Sequence, residues 1–312
     1  MPSTKRRAWG SVVTHLIREP SHSIVIKTMY AAFLLISGCT LTPPHNAMTP
    51  RAQQPTLNEY VLQAIETLSQ EYSGLGYGNQ AFTHNLSFGD HGILQASKKP
   101  LTMCVAAQLE ILVIALDLEA NDSHDYRAFD FLTKDSWQRL RPTDLRGQVW
   151  IVSGAPGHGM ADALTNLGMG EKHSVERWKP GDFVNFNRTN GTGHGVVFVS
   201  YIDKNGQELP AFGDDVVGFK YFSSQGKLTS GGLGYRYAFF APLCPILPSD
   251  KKRDCGVIRT SQSRLLNGGS AWVPIAWNSA TATSFLAAHR TRFFEAEGTF
   301  NSAYFTGKTT DD

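Results

Sequence analysis

Apolar positions in the first half of the chain recur at helical spacing. From Leu57 onward, Tyr60, Val61, Ala64, Ile65 and Leu68 fall on one stripe. That stripe predicts a helix, stopped by the glycines of Gly74-Leu75-Gly76-Tyr77-Gly78. A second helix is predicted from Cys104 to about Leu118. Its residues are apolar nearly all round (VAAQLEILVIALDL), the pattern of a helix buried at the centre of a domain. Beyond residue 178 the pattern changes to β-rich runs. Strands are predicted over 182–187, 194–202, 216–224 and 234–240, separated by the turn signals Asn190-Gly191, Lys204-Asn205-Gly206 and Gly231-Gly232. Residues 121–178 are mixed, with an extended VWIV at 149–152 and a helix around Ala161–Leu167 that Gly168 ends. One more amphipathic helix is predicted at about Ala280–Glu297. Helices first and a sheet later is an α+β order.

The first 38 residues follow a different rule. Basic residues lead, an apolar run (MYAAFLLI, 29–36) follows Lys27, and Ser37-Gly38-Cys39 closes it. The run is too short for a permanent membrane span and ends in small residues, as a processing site does. The segment 36–39 (Ile-Ser-Gly-Cys) resembles the lipobox of bacterial lipoproteins, which implies lipidation of Cys39 and an envelope location, outer membrane facing the periplasm, with the membrane held through the lipid. Residues 40–55 (TLTPPHNAMTPRAQQP) read as a proline-rich tether. The leader also distorts the charge. It carries Lys5, Arg6, Arg7, Arg18 and Lys27 against Glu19; removing these from the 29 basic and 27 acidic residues of the chain leaves 24 and 26. The remainder has no basic block, which argues against a nucleic-acid partner.

Export gives the four cysteines meaning. With Cys39 lipidated, Cys244 and Cys255 flank a short polar loop with two prolines (PILPSDKKRD) and form the natural disulfide pair. Cys104 is then left over, either as a working thiol or as a small buried hydrophobe. It opens the buried helix just after Lys98-Lys99-Pro100, where the helix dipole favours thiolate. His194 stands in Gly191-Thr192-Gly193-His194-Gly195, at the start of a strand. The preceding strand opens with Lys179-Pro180-Gly181-Asp182.

This order, Cys at a helix start, then Pro-Gly-Asp, a strand, and Gly-His at the next strand, resembles the NlpC-type and CHAP-type cell-wall hydrolases. The resemblance covers roughly residues 100–240 and is sharpest over 179–202 (KPGDFVNFNRTNGTGHGVVFVSYI). It implies a papain-like fold, a helix on a small antiparallel sheet. It also implies a Cys-His thiol mechanism cleaving an amide of peptidoglycan, with Cys104 as nucleophile and His194 as general base. No metal or organic cofactor is implied. The third, orienting residue falls among Ser223, Ser224 and Gln225, with Gln225 preferred because its amide oxygen suits an imidazole N–H. The Cys104–His194 spacing is longer than compact family members need, so residues 121–178 read as an insertion in a 57–265 domain, with 266–312 as a helical extension packed on it.

The alternatives are a thiol acyltransferase or transglutaminase-like enzyme, and a non-catalytic lipoprotein binding cell-wall peptide or a protein partner; a protein regulator is also compatible. His158, in Gly157-His158-Gly159, reads as a loop histidine, with lining of a cleft as the alternative. Asp90, His91, Asp122, His124 and Asp125 are scattered metal-type side chains, without the HExxH or CxxC spacing of a zinc site. Neither a GxSxG elbow nor a phosphate loop is present.

Overall fold

A computed structural model of the chain describes residues 54–89, 92–96, 98–130 and 159–295. Cys39, the leader, Asp90, His91, the VWIV segment and His158 lie outside the described residues.

Helix α1 (Asn58–Glu71) buries Val61, Ala64, Ile65 and Leu68, the predicted stripe. Helix α2 (Cys104–Ser123) ends at His124, whose left-handed backbone (φ 58°) closes it. It is buried on nearly every side, as its composition requires: α1 covers one flank and the sheet another. The short helix α3 (Arg127–Asp130) follows it. Leu86–Ser87 (β1) and Ile93–Leu94 (β2) form a small hairpin. Helix α4 (Met160–Asn166) begins the second half, and α5 (Ser279–Glu295) ends it.

The rest is an α+β assembly around one large mixed sheet. Its strands are β3 (Gly170–His173), β4 (Phe183–Asn187), β5 (Gly193–Ile202), β6 (Glu208–Leu209), β7 (Gly218–Gln225), β8 (Gly232–Phe240), β9 (Arg253–Val257) and β10 (Leu266–Ala271). The order is β3-β10-β4-β5-β7-β8-β9, with β6 attached to β5. All pairs are antiparallel except β8 with β9. The sheet curls until β9 meets the end of β4: Thr189 N–H donates to Gly256 O (2.8 Å) and Ile258 N–H to Asn187 O (3.0 Å). Strands β4, β5, β7, β8 and β9 thereby close a barrel.

Two cores follow from strand alternation. Phe183, Val197 and Phe222 face outward from the barrel and pack with α1 and α2. Val184, Phe186, Val196, Phe198, Phe219 and Tyr221 face inward and fill it.

Two strands run through regions that the hydrophobic pattern leaves unassigned. Strand β10 lies within the expected C-terminal extension, yet it sits between β3 and β4. Strand β3 lies within the expected insertion. The sequence of β10, LNGGSA, shows no alternation because all six residues are buried and close packing demands small ones. A Cβ at Gly268 would come within 2.4 Å of Trp178 Nε1, and one at Gly269 within 2.0 Å of Glu171 O. Cys244 and Cys255 are joined in a disulfide, with Cα atoms 5.4 Å apart.

Candidate active site

Cys104 is the first residue of α2, and its thiol is not disulfide-bonded. The chain entering the helix is held on two sides. Met103 N–H donates to Gln80 O (3.2 Å). Thr102 O accepts from Ser224 Oγ at the end of β7 (2.8 Å). One turn into the helix, Gln108 Nε2 donates to Val184 O (3.1 Å) and Val196 O (2.8 Å). Gln108 sits on Gly195: a Cβ there would come within 2.4 Å of Gln108 Oε1. Only the absence of a side chain at 195 lets the helix lie this close. Cys104 is buried (2% exposed). Two polar atoms beside it, Thr102 Oγ1 and Gln108 Oε1, are also buried and have no hydrogen-bond partner among the described residues.

His194 takes the other side of the sheet. Since Gly195 faces α2, the preceding residue of the strand faces the barrel interior. Its ring packs edge-on against Phe186 and Tyr221, each at 5.6 Å between centroids. Gln225 lies beside it. The Gln225 oxygen accepts from Arg236 Nε (2.9 Å) and Nη1 (3.0 Å), and its nitrogen donates to His194 Nε2. The structure thus brings His194 and Gln225 together. The polarity of the contact is the reverse of the expected one. Gln225 donates a hydrogen bond to the imidazole Nε2 instead of accepting one from it, so the Nε2 lone pair is occupied. A general base for Cys104 needs a free lone pair within hydrogen-bond reach of the thiol. Ser223 and Ser224 are spent elsewhere: Ser223 Oγ donates to Gly195 O (2.6 Å), Ser224 Oγ to Thr102 O.

His194 belongs instead to a polar chain inside the barrel that the hydrophobic pattern did not reveal. Tyr221 O–H accepts from the Gln225 amide and donates to Asp254 Oδ2 (2.9 Å). Asp254 also takes a bidentate fork from Arg188, Nε and Nη2 both at 2.6 Å. Arg188 Nη1 donates to Thr192 Oγ1 (2.9 Å). Burial pushes the Tyr221 phenol well above its ordinary pKa, and the Asp254 charge adds to it. The one signal in the sequence is Arg188 at the inward register of Val184 and Phe186, a charge continuing an apolar face.

On the outer side of α2, the buried Glu110 carboxylate accepts from Thr83 N–H (3.0 Å) and Thr83 Oγ1 (2.5 Å) and meets His84 Nδ1 (3.2 Å). The metal-type residues near the end of α2 have other roles. Asp122 accepts from Tyr60 O–H (2.7 Å), and Asp125 pairs with Arg127 (2.6 Å). Among the described residues no three His, Cys, Asp or Glu side chains converge as metal ligands, and no helix is long and apolar enough to cross a membrane.

No protein-family model matches the chain, and no curated protein or solved structure matches it significantly. The functional reading therefore rests on residues and geometry.

Proposed function

We propose that the protein is a papain-like thiol hydrolase that cleaves an amide of peptidoglycan, with Cys104 as nucleophile, held in the envelope through lipid on Cys39. The observation that carries this reading is a thiol outside any disulfide at the first position of a buried helix. A helix N-terminus stabilises thiolate, and its first-turn N–H groups suit an oxyanion. The thiolate sulfur attacks the amide carbonyl, the C–N bond breaks as the leaving nitrogen takes a proton, and water then releases the acid from the thioester. An amine or alcohol in place of water would make the same intermediate an acyl donor. His194 is the imidazole proposed to carry the proton, and His158 is compared with it directly in the test.

A second reading has its own support. The orientation of His194 and the burial of Cys104 suit a lipoprotein that keeps this fold for binding cell-wall peptide without cleaving it.

One experiment separates the two. The soluble form beginning at Thr40 is incubated with purified peptidoglycan beside Cys104→Ala, His158→Gln and His194→Gln variants, and released fragments are identified by mass spectrometry. Hydrolysis predicts new fragments from the wild type and none from Cys104→Ala; the histidine variant that loses activity names the base. Absence of fragments throughout, with iodoacetamide alkylating Cys104 no faster than free cysteine, refutes the enzyme and leaves the binding protein. Radiolabelled palmitate incorporation that disappears in Cys39→Ser tests the anchor.

A further inference from the structure

The proposed chemistry leaves one cleft unused. It has a volume of about 610 Å³ and lies between the end of β3, the 3₁₀ turn Val175–Arg177 and the chain leading into β10. Its floor includes Trp178, 4% exposed, whose indole N–H has no acceptor among the described residues. That nitrogen is already shut off from solvent, with Gly268 against it.

The rim holds two cations, Arg259 and Lys172, with side chains 45% and 39% exposed. Glu176 is the acid lining the cleft and pairs with Arg259 at 3.2 Å; Lys172 reaches Asp162, outside the lining, at 2.5 Å. Hydroxyls of Ser174, Thr260, Ser261 and Ser263 complete the wall.

We propose that this cleft binds an acidic saccharide, a sugar ring carrying a carboxylate. Guanidinium and ammonium groups only donate hydrogen bonds, so the two cations of the rim suit a ligand that brings acceptors. The hydroxyls both donate and accept, as a polyol requires. The volume falls in the range of organic-ligand sites and is far larger than an inorganic anion needs. The Arg259 fork suits a carboxylate in particular. The inference stands whether or not Cys104 is a nucleophile.

The test uses the full chain in detergent, with tryptophan fluorescence and calorimetry. Glucuronate and N-acetylmuramate are the probes, with glucose, N-acetylglucosamine and inorganic phosphate as comparisons. The acids bind saturably and about tenfold or more tighter than their neutral counterparts, a difference of about 1.4 kcal/mol. Arg259→Gln removes that preference. Cys104→Ala binds as the wild type does, which separates this site from the thiol. A stronger response to N-acetylmuramate identifies a wall sugar as the source, and a stronger one to glucuronate a uronic acid. No saturation by either acid at about 10 mM, equal binding of neutral sugars, or equal binding of phosphate overturns the proposal.

Discussion

Asp254→Ala is the most informative single change to the barrel. Asp254 holds the seam where β9 returns to the end of β4, accepting two 2.6 Å bonds from Arg188 and one from Tyr221. Both members of the ion pair are nearly dry, with side chains 4% and 7% exposed. Removing the carboxylate leaves a guanidinium buried with its Thr192 bond and its packing over Phe186, 5.2 Å from the ring centre. Breaking a buried pair from one side costs about 3–5 kcal/mol, mostly the desolvation of the stranded charge. For a domain of this size that corresponds to a fall of roughly 6–20 °C in melting temperature. The double variant Arg188→Met/Asp254→Leu strands no charge and recovers most of the loss. Urea titration of the wild type, both single variants and the double variant gives the coupling directly. A loss below about 1 kcal/mol for Asp254→Ala, or a double variant as unstable as the sum of the singles, refutes the seam argument.

Other expectations follow from the same contacts. Gly195→Ala drives a methyl group into Gln108 Oε1 and costs about 1–3 kcal/mol by overpacking, measured by denaturant midpoint; a neutral result means α2 does not rest on that glycine. The buried phenols of Tyr201 and Tyr221 have raised pKa values, burial being the main cause in both. The unfolded chain ionises them near pH 10, so their contribution is full below that pH and is lost as pH rises toward the folded values. Absorbance at 295 nm therefore shows Tyr201 and Tyr221 ionising only as the fold melts, and a titration in which every tyrosine ionises before unfolding excludes this. Reducing the Cys244–Cys255 disulfide, 11 residues apart, lowers stability by about 3 kcal/mol on loop entropy, checked by thermal melts with and without a thiol reductant.

Much of the fold is legible from periodicity because its elements bury one face or all faces. The α1 stripe, the wholly apolar α2 and the strands near 183–187, 193–202, 218–225 and 232–240 are of this kind. Strands β3, β9 and β10 are not, since each is held by backbone pairing and small or charged residues rather than by a hydrophobic face. The candidate site is legible to the same degree. A glycine-flanked histidine at a strand start and a cysteine at a helix start are visible in the sequence. Which face the histidine takes depends on whether position 194 or 195 meets the helix. Strand period two makes that a choice between opposite sides of a sheet, and the tight fit of Gln108 on Gly195 decides it.

The disulfide also bears on how the chain reaches its final form. Strand β9 is the one member of the sheet that arrives parallel to its neighbour, after the connection from residue 241 to 252. Cys255 follows Asp254 directly, so the bond that ties this connection also delivers the seam carboxylate to Arg188. A chain whose thiols stay reduced keeps its last strand by the backbone pairing of β9 with β8 and with the end of β4 and by the Arg188–Asp254 pair, without the cross-link that shortens the search for it. The redox state of the surroundings thereby sets how firmly the seam of the barrel is tied.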